Sequence, residues 1–414
     1  MCLTMRRRLR TRKPVFSTMA RLHPTRWLLF SVLAAILSSC ASAQPSPSAT
    51  PIAPPPAAKP ASTPPAPVRA APTRPEGPKL WPVTSLRGAE YIDVREIARR
   101  FGLKADWVKA KPAMTLSDKN GIRFTFEERQ RDFYFDGLRI FLGEAAVQEK
   151  NTLWLSKLDV IKTVAPLFRP EDYPVLLPLS PPKLIVLDAG HGGTDPGNQN
   201  LRLKLDEKDI TLDVTLRLKK ALELRGYRVV LTRDKDARFS NSRSIDLPWR
   251  AEVANKAGAD LFLSIHFNAV ESGAQRVSGS ETYVLTPERM ISTQPESDKS
   301  MIQAKNSGNN HDTANTLLGY HIHRQLITGL KASDRGYKRY RYAVLRSLNC
   351  PGALIEAAFL SNDNEARRVG TPEFRQQIAE AIADGVQSYS VTLEALHPKP
   401  AAPANATVQP RIKP

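Results

Sequence analysis

The sequence contains little cysteine, with three cysteines in 414 residues. Cys2 lies near the N-terminus and Cys40 follows the leader, which leaves Cys350 as the one cysteine of the remaining chain. A disulfide framework is therefore excluded, and so is a metal site built from cysteines. Because Cys350 stands alone and precedes a proline, we expect a small buried apolar residue and not a nucleophile.

Long apolar runs are also scarce. The run from Trp27 to Leu37 follows a series of arginines and is too short to cross a bilayer as a mature helix. Residues 1–39 are therefore interpreted as a signal peptide, and we expect an exported protein. The sequence leaves the start of translation open among Met1, Met5 and Met19.

Two processing sites compete at the end of this leader. Leu37-Ser38-Ser39-Cys40 resembles a lipobox, in which Cys40 becomes the lipidated first residue and anchors the protein in a membrane. Ala41-Ser42-Ala43 resembles an ordinary signal peptidase site. If Cys40 is lipidated, Ala41 in place of an aspartate favours the outer membrane of a Gram-negative host. We expect a location in the periplasm or cell envelope.

Acidic residues are few relative to basic ones, 41 against 60. Removing residues 1–39 takes away eight basic side chains and no acidic ones, which lowers the formal charge from +19 to +11. A cation of this size is attracted to polyanions such as nucleic acid, an anionic membrane or a carboxylate-bearing cell wall. Export favours the wall and the membrane, so we expect no nucleic-acid partner.

The composition divides the rest of the chain into four parts. Residues 40–79 are rich in proline and alanine and predict an extended tether. Residues 80–172 predict a small α+β domain, and residues 183–390 a larger domain of alternating strands and helices. The basic, proline-rich tail 397–414 is expected to be disordered.

The small domain has recognisable local patterns but no cluster of metal-binding or catalytic residues. Residues 90–98 predict a strand that passes into a helix, and Asp136-Gly137 predicts a tight hairpin turn. The domain resembles the N-terminal α+β domain of copper amine oxidases. We interpret it as a binding or spacing module.

The larger domain predicts a mostly parallel twisted sheet with helices on both faces, an α/β fold. Helices are predicted over Asp209–Arg225 and Trp249–Ala257, each ended by a glycine. Residues 292–310 form a polar insertion without apolar periodicity. We expect a flexible loop over or beside the site, on which a regulatory protein could act.

Four polar residues stand where chemistry is expected. His191, His266 and Glu356 each follow a short apolar run typical of a buried parallel strand, and Glu207 begins a predicted helix. Such sheets carry their sites at the carboxyl ends of strands. Two imidazoles and one carboxylate suit a catalytic Zn²⁺ that keeps one position open, and a further carboxylate can move protons. The pattern predicts a metallohydrolase.

Several polar residues also have a purely structural interpretation. Glu207 could stabilise the positive end of a helix, and Asp188 could orient a histidine or cap a loop. His321 and His323 point to different sides of a predicted helix, so they are poor co-ligands and are taken as structural. His311 is taken as a loop residue.

Four motifs occur in the order seen in one enzyme family. They are Asp188-Ala189-Gly190-His191-Gly192-Gly193-Thr194-Asp195-Pro196-Gly197, Glu207-Lys208-Asp209, Ser264-Ile265-His266-Phe267-Asn268-Ala269 and Ile355-Glu356-Ala357-Ala358-Phe359-Leu360-Ser361-Asn362. Residues 183–390 thereby resemble the zinc-dependent N-acetylmuramoyl-L-alanine amidases. The resemblance covers about half of the chain and departs from the family at Ala189, at Ala357-Ala358 and in the 292–310 insertion.

The resemblance implies hydrolysis of the amide between the lactyl group of N-acetylmuramic acid and L-alanine in peptidoglycan. It implies that His191, Glu207 and His266 bind Zn²⁺ and that Glu356 is the general base and acid. Two alternatives stay open: a peptidoglycan-binding protein without turnover, and a zinc peptidase or deacetylase that acts on another envelope substrate.

Overall fold

The computed structural model describes residues 80–296 and 299–397. They lie within one compact unit, Arg74–Pro414. The predicted signal peptide, lipidation site and tether lie outside the described residues, as does the predicted C-terminal tail apart from its first residue. Within the described ranges, no helix is both long enough and apolar enough to cross a membrane.

The predicted first domain consists of short antiparallel strands with helices beside them. The strands are β1 (Thr84–Leu86), β2 (Ala89–Asp93), β3 (Lys104–Trp107), β4 (Ala113–Asp118), β5 (Gly121–Glu127), β6 (Asp132–Phe135), β7 (Leu138–Phe141), β8 (Val147–Glu149) and β9 (Thr152–Ser156). The helices are α1 (Val94–Phe101), α2 (Lys157–Asp159) and α3 (Ala165–Phe168), the last two joined by a π-helical turn, Val160–Val164.

Both local predictions for this segment are confirmed. Strand β2 passes directly into α1, whose first turn is capped by the side chain of Asp93. Strands β6 and β7 form a hairpin in which Phe135 pairs with Leu138. The two turn residues, Asp136 and Gly137, have φ angles of 48° and 79°. Aspartate and glycine tolerate this left-handed region better than most residues, which explains the pair.

The predicted second domain alternates strands and helices. Its strands are β10 (Leu184–Ala189), β11 (Gln199–Asn200), β12 (Leu205–Asp206), β13 (Arg228–Leu231), β14 (Leu261–Asn268), β15 (Ser280–Val284), β16 (Asp334–Arg339) and β17 (Gly352–Phe359). Its helices are α4 (Glu207–Leu224), α5 (Arg243–Ala257), α6 (Asp312–Leu330), α7 (Ala343–Arg346), α8 (Asp363–Val369) and α9 (Pro372–Leu396).

The α/β fold with a mostly parallel sheet is confirmed. Strands β13, β10, β14 and β17 lie side by side and parallel, and β15 runs antiparallel to β17. Residues on alternate sides of β10 enter different cores: Ile185 and Leu187 pack with α4 and α9, whereas Val186 packs with Ala251 and Ala254 of α5. Helices therefore cover both faces, as burial of parallel strands requires.

Helix α5 begins six residues before the predicted start at Trp249. The prediction started after Pro248, since proline lacks the N–H that an interior helical position needs. In the structure Pro248 lies inside the helix and is exposed. Water can therefore hydrate the carbonyl that its missing N–H leaves unpaired.

The two segments share one eleven-stranded sheet, because β16 pairs in parallel with β7 through Tyr337 and Ile140. Arg339 reinforces the junction. Its side chain is 1% exposed, and its Nη1 and Nη2 donate to the Phe141 carbonyl at 2.6 Å and to Oγ1 of Thr163 at 2.7 Å. The predicted separation into domains 80–172 and 183–390 is thus bridged by backbone pairing.

The described part of the 292–310 insertion packs around a buried arginine. Arg341 donates through Nη2 to the carbonyls of Pro287, Met290 and Ile302 at 2.9, 2.9 and 3.2 Å. Ser292 is fully buried. The predicted loop is thus held against the domain by hydrogen bonds, which a sequence without apolar periodicity does not reveal.

Candidate active site

The sheet brings three of the predicted site residues to one edge. His191 lies two residues beyond the end of β10, and His266 lies near the end of β14. Glu356 of β17 pairs in register with His266. Glu207 begins α4, whose first turn faces the same edge. Because carboxyl ends of parallel strands coincide, residues far apart in sequence meet here.

Glu207 lies between the two imidazoles. Its Oε1 is 3.1 Å from Nε2 of His191 and 3.0 Å from Nδ1 of His266. One donor atom from each of the three residues lies within 4.8 Å of the others. Around a tetrahedral zinc with bonds of about 2.1 Å, ligand atoms are roughly 3.4 Å apart. The donor types and their spacing therefore fit Zn²⁺.

Backbone groups fix the Glu207 carboxylate. Oε2 accepts from the Asn198 N–H at 2.7 Å, and Oε1 accepts from the Phe267 N–H at 3.0 Å. Burial alone would raise the pKa of Glu207, but hydrogen bonds from His191 and His266 outweigh it and hold that pKa well below its usual value. Glu207 is 1% exposed and ionised, which suits a metal ligand.

Asp195 lies behind His191 at ion-pair distance. Its Oδ2 lies 3.2 Å from Nδ1 of His191, on the ring nitrogen remote from Glu207. Burial lowers the pKa of His191, but Glu207 and Asp195 together raise it above its usual value. A carboxylate behind a metal-binding histidine fixes the ring and its tautomer. The sequence motif contained Asp195, but its role was not predicted.

Asp188, the residue expected to orient a histidine or cap a loop, does neither. It is 1% exposed and accepts hydrogen bonds from Thr232 at 2.7 Å, Ser264 at 2.7 Å and Arg250 at 2.9 Å. Burial would raise the pKa of Asp188, but the Arg250 guanidinium and the two hydroxyls lower it. Asp188 therefore anchors Arg250 beneath the site.

Two arginines hold the backbone that carries His191. Arg250 donates to the carbonyls of Ala189 and His191, each at 2.9 Å. Arg233 donates to the carbonyls of Ala189 and Gly190, each at 2.9 Å. His191 itself has a φ of 61°, a strained conformation that such contacts can maintain. Arg233 was missed from the sequence because most of its hydrogen-bond partners are backbone carbonyls.

Two glycines make room for the side chains of His191, Glu207 and His266. A Cβ at Gly190 would lie 2.4 Å from Cε1 of His266. A Cβ at Gly197, whose φ is 69°, would lie 2.7 Å from both Cβ of Glu207 and Cδ2 of His191. Only glycine fits these contacts, so the motif glycines have a direct steric cause.

Glu356 stands apart from the histidine and glutamate cluster. Its Oε2 is enclosed and has no hydrogen-bond partner among the described residues. Burial, followed by the charges of Glu207 and Glu281, raises the pKa of Glu356 well above its usual value. A carboxyl group with high proton affinity and a free oxygen is suited to accept and return a proton.

Glu281, a second carboxylate that sequence reasoning missed, pairs across the sheet with Glu356. It accepts from Lys338 at 2.6 Å, Arg335 at 3.0 Å and Tyr283 at 2.7 Å. These donors outweigh burial and lower the pKa of Glu281. The neighbouring carboxylates therefore differ, because the pKa of Glu281 is lowered and the pKa of Glu356 is raised.

The cluster opens into a cavity of about 290 Å³. Besides the four predicted site residues, its wall includes Arg243, Leu247, Tyr342, Ala343 and Val344. The described residues of the 292–310 insertion are not part of that wall. These residues therefore do not line the cavity, and a position of the insertion beside the site stays a prediction.

His321, His323 and Cys350 lie outside the site among packed side chains, which is consistent with the structural roles predicted for them. His323 lies between Thr282 and Asp334, and His321 contacts Thr392. Burial lowers the pKa of His321 to about 4. Burial raises the pKa of Cys350 to about 12, so its thiol is unreactive.

Comparison with known proteins agrees with this arrangement. The sequence model of the N-acetylmuramoyl-L-alanine amidase family matches residues 185–388. The germination-specific N-acetylmuramoyl-L-alanine amidase of Bacillus subtilis is 32% identical over 225 residues, covering 52% of this chain and 83% of that protein. The amidase AmiA of Escherichia coli is 32% identical over 228 residues, covering 50% of this chain and 76% of that protein.

Among solved structures, the amidase AmiC2 of Nostoc punctiforme is 30% identical, covers 50% of this chain and 96% of its own, and has a TM-score of 0.40. The sequence matches span the segment that carries His191, Glu207, His266 and Glu356. The chain therefore belongs to the N-acetylmuramoyl-L-alanine amidase family, the enzymes that hydrolyse the amide between N-acetylmuramic acid and L-alanine in peptidoglycan.

Proposed function

We propose that the chain performs this hydrolysis with Zn²⁺ held by His191, Glu207 and His266 and with Glu356 as general base and acid. The observation that carries the proposal is the position of Glu207, whose one oxygen lies 3.0–3.1 Å from nitrogens of both histidines. Zinc in such a site would polarise the substrate carbonyl and lower the pKa of water. The donor set is of the kind that leaves one position open.

Glu356 carries the proton in this proposal. Its free Oε2 takes a proton from the attacking water and then delivers it to the departing amine of L-alanine. The amine is a poor leaving group until it is protonated. The ionised Glu281 next to Glu356 favours the protonated form of Glu356 and so supports retention of the proton between the two steps.

The residues around the cluster position His191 and line the cavity that would receive the substrate. Asp195 and Arg250 fix His191 from its side chain and its carbonyl, respectively. Leu247 and Val344 supply apolar parts of the cavity wall. The exposed Arg243, with 73% of its side chain accessible, can pair with carboxylates of the stem peptide.

The test is digestion of purified peptidoglycan by the zinc-loaded mature protein and by its Glu356→Gln variant, with products identified by mass spectrometry. We expect free L-alanine amino termini and intact lactyl groups from the native protein only. Glu373→Gln, on an exposed position of α9, is the matched control and should cleave normally. Zinc content is measured in all three proteins.

Other outcomes discriminate between the alternatives. New ends at a different bond would retain a zinc hydrolase and reject the substrate. Zinc binding without any cleavage would favour a peptidoglycan-binding protein. Unchanged cleavage by Glu356→Gln would reject the role of Glu356.

We propose in addition that the protein is exported and anchored through a lipid on Cys40. The support is the lipobox-like sequence and the Pro/Ala-rich tether that follows it. Residues 80–172 would then position the enzyme at the wall, and a regulatory protein would contact the 292–310 insertion. Labelled palmitate should enter the native protein and not Cys40→Ser, which should be recovered as a soluble periplasmic form; equal labelling of both would reject the anchor.

A further inference from the structure

An aromatic pair lies exposed beside the catalytic cavity. The rings of Phe239 and Trp249 are stacked with centroids 4.6 Å apart and an angle of 2° between their planes. Trp249 covers one face of Phe239, yet Phe239 is 56% exposed, so its other face is open to solvent. Ile245, 53% exposed, lies one helical turn before Trp249 on α5 and extends the patch.

This patch lies next to the catalytic cavity. Phe239 and Trp249 line a second cavity of about 190 Å³, and Arg250 belongs to the walls of both cavities. Asp246, which also lines the catalytic cavity, accepts a hydrogen bond from the Phe239 N–H at 3.0 Å. The aromatic pair and the catalytic cavity are therefore neighbours.

Polar groups accompany the apolar surface. The side chain of Arg238 is 9% exposed, and its Nε has no hydrogen-bond partner among the described residues. Its Nη1 and Nη2 lie 3.9 Å from Asp195 and 4.0 Å from Asp246. A buried donor without an acceptor is costly, and a carbonyl oxygen on a ligand would satisfy it.

We propose that Phe239, Trp249 and Arg238 form a subsite for a sugar ring of the peptidoglycan glycan strand. The inference rests on the proposed function, because the scissile amide joins a sugar-borne lactyl group to a peptide and one side of the cavity must hold the glycan. Aromatic faces are negative and attract the positively polarised C–H groups of a pyranose ring. The Arg238 Nε–H matches the carbonyl of an N-acetyl group.

A membrane contact is the competing interpretation of an exposed apolar patch with basic neighbours. The position of the patch favours the substrate, since the cavity beside the aromatic pair shares Arg250 with the wall of the catalytic cavity. The stacked geometry also offers one flat ring face. A broad apolar surface would suit a bilayer better.

The binding experiment uses the full mature chain carrying Glu356→Gln, to prevent turnover. The probe is peptide-free glycan of alternating N-acetylglucosamine and N-acetylmuramic acid, with affinity measured by calorimetry. We expect Phe239→Ala and Trp249→Ala each to weaken binding about tenfold, since one stacked ring contributes on the order of a tenfold change in affinity. Trp249→Phe should retain most of the affinity.

Tyr134→Ala is the matched control, because Tyr134 is an exposed aromatic residue, 45% accessible, in the first segment. It should bind like the parent. In the native background, the same substitutions should raise KM for polymeric peptidoglycan by a similar factor and leave kcat nearly unchanged. Thermal unfolding of each variant verifies that the exposed substitutions preserve the fold.

The outcomes separate the subsite from the proposed function. Glycan binding that depends on Phe239 and Trp249 without amide cleavage would retain the subsite and reject the function. Amide cleavage with unchanged glycan affinity and KM in both alanine variants would overturn the subsite. The subsite would also be overturned if those variants lost binding to vesicles of anionic phospholipid while their glycan affinity stayed unchanged.

Discussion

Glu207 shows how single residues set the chemistry of this site. It is almost fully buried and receives hydrogen bonds from two backbone N–H groups besides its contacts with His191 and His266. A carboxylate restrained in this way has one orientation available to a metal. The surrounding residues therefore decide affinity through geometry as well as charge.

At the residue scale, Asp195→Asn should weaken zinc binding. The amide keeps the shape of Asp195 but loses the charge behind Nδ1 of His191, 3.2 Å away. Loss of such a partner typically lowers metal affinity by about 10- to 100-fold. Competition with a chromophoric chelator measures the change. Asp209→Asn, at an exposed position of α4, is the control, and equal zinc affinity in both variants would contradict the role of Asp195.

The raised pKa of Glu356 predicts that this residue lowers the free energy of unfolding of the metal-free protein in a pH-dependent way. Between the unfolded pKa of about 4.3 and the higher folded pKa, the folded state binds more protons than the unfolded state. Stability contributed by this group therefore falls as pH rises through that window. Metal-free Glu356→Gln should melt at a higher temperature than the native chain near pH 7, and the difference should shrink towards pH 4.

Calorimetric scans with a chelator present measure this difference. Glu373→Gln again provides the control, since that side chain is exposed. A Glu356→Gln variant less stable than the native chain at neutral pH would show that burial of an ionised Glu356 is not the dominant cost.

At the scale of elements, the loop after β10 depends on its glycine. Gly190→Ala would place a Cβ 2.4 Å from the His266 ring and displace a proposed ligand. We expect loss of zinc binding and of amidase activity with the fold retained, measured by zinc content and circular dichroism. Gly329→Ala in α6 is the matched control: its Cβ would meet Ala381 at an ordinary 3.5 Å, and helix propensity should add about 0.5–1 kcal/mol to stability.

The same loop explains why Arg233 and Arg250 are buried among carbonyl oxygens. Gly190 and His191 follow Ala189, the last residue of β10. The two guanidinium groups donate to the carbonyls of all three residues. An element that would otherwise be a mobile loop is thus given a fixed geometry for His191.

At the scale of the whole molecule, the shared sheet predicts cooperative unfolding of both segments. Arg339→Ala removes hydrogen bonds to Phe141 and Thr163 and should lower the free energy of unfolding by about 3 kcal/mol. Differential scanning calorimetry should show one transition in the native chain, shifted downwards in the variant. Arg129→Ala, with 88% of the side chain accessible, should leave it unchanged. Two separate transitions in the native chain would contradict cooperative coupling.

Residues 80–172 are hydrogen-bonded to the rest of the molecule, which is relevant to their proposed role in positioning the enzyme. Arg131 of that segment donates to the carbonyl of Ser292 at 2.9 Å, and Lys162 pairs with Asp312 at 3.0 Å. A partner that binds residues 80–172 could therefore act on the insertion through direct contacts. The orientation of the first segment relative to the catalytic cavity is set by these bonds and by the sheet.

The sequence by itself was sufficient to predict the α/β class, the ends of several strands, and the group of His191, Glu207, His266 and Glu356. Apolar runs of strand length followed by polar residues are local signals, and parallel strands end at a common edge. Family motifs added the reaction.

Only the tertiary structure decided which charged residues support that group. Asp195 and not Asp188 contacts a histidine, and Glu281 lies beside Glu356, because both contacts depend on loop conformation and strand pairing. The joining of β7 to β16 likewise unites residues nearly 200 positions apart. Local patterns specify which face of an element is buried, whereas the partner on that face is determined by the packing of the whole chain.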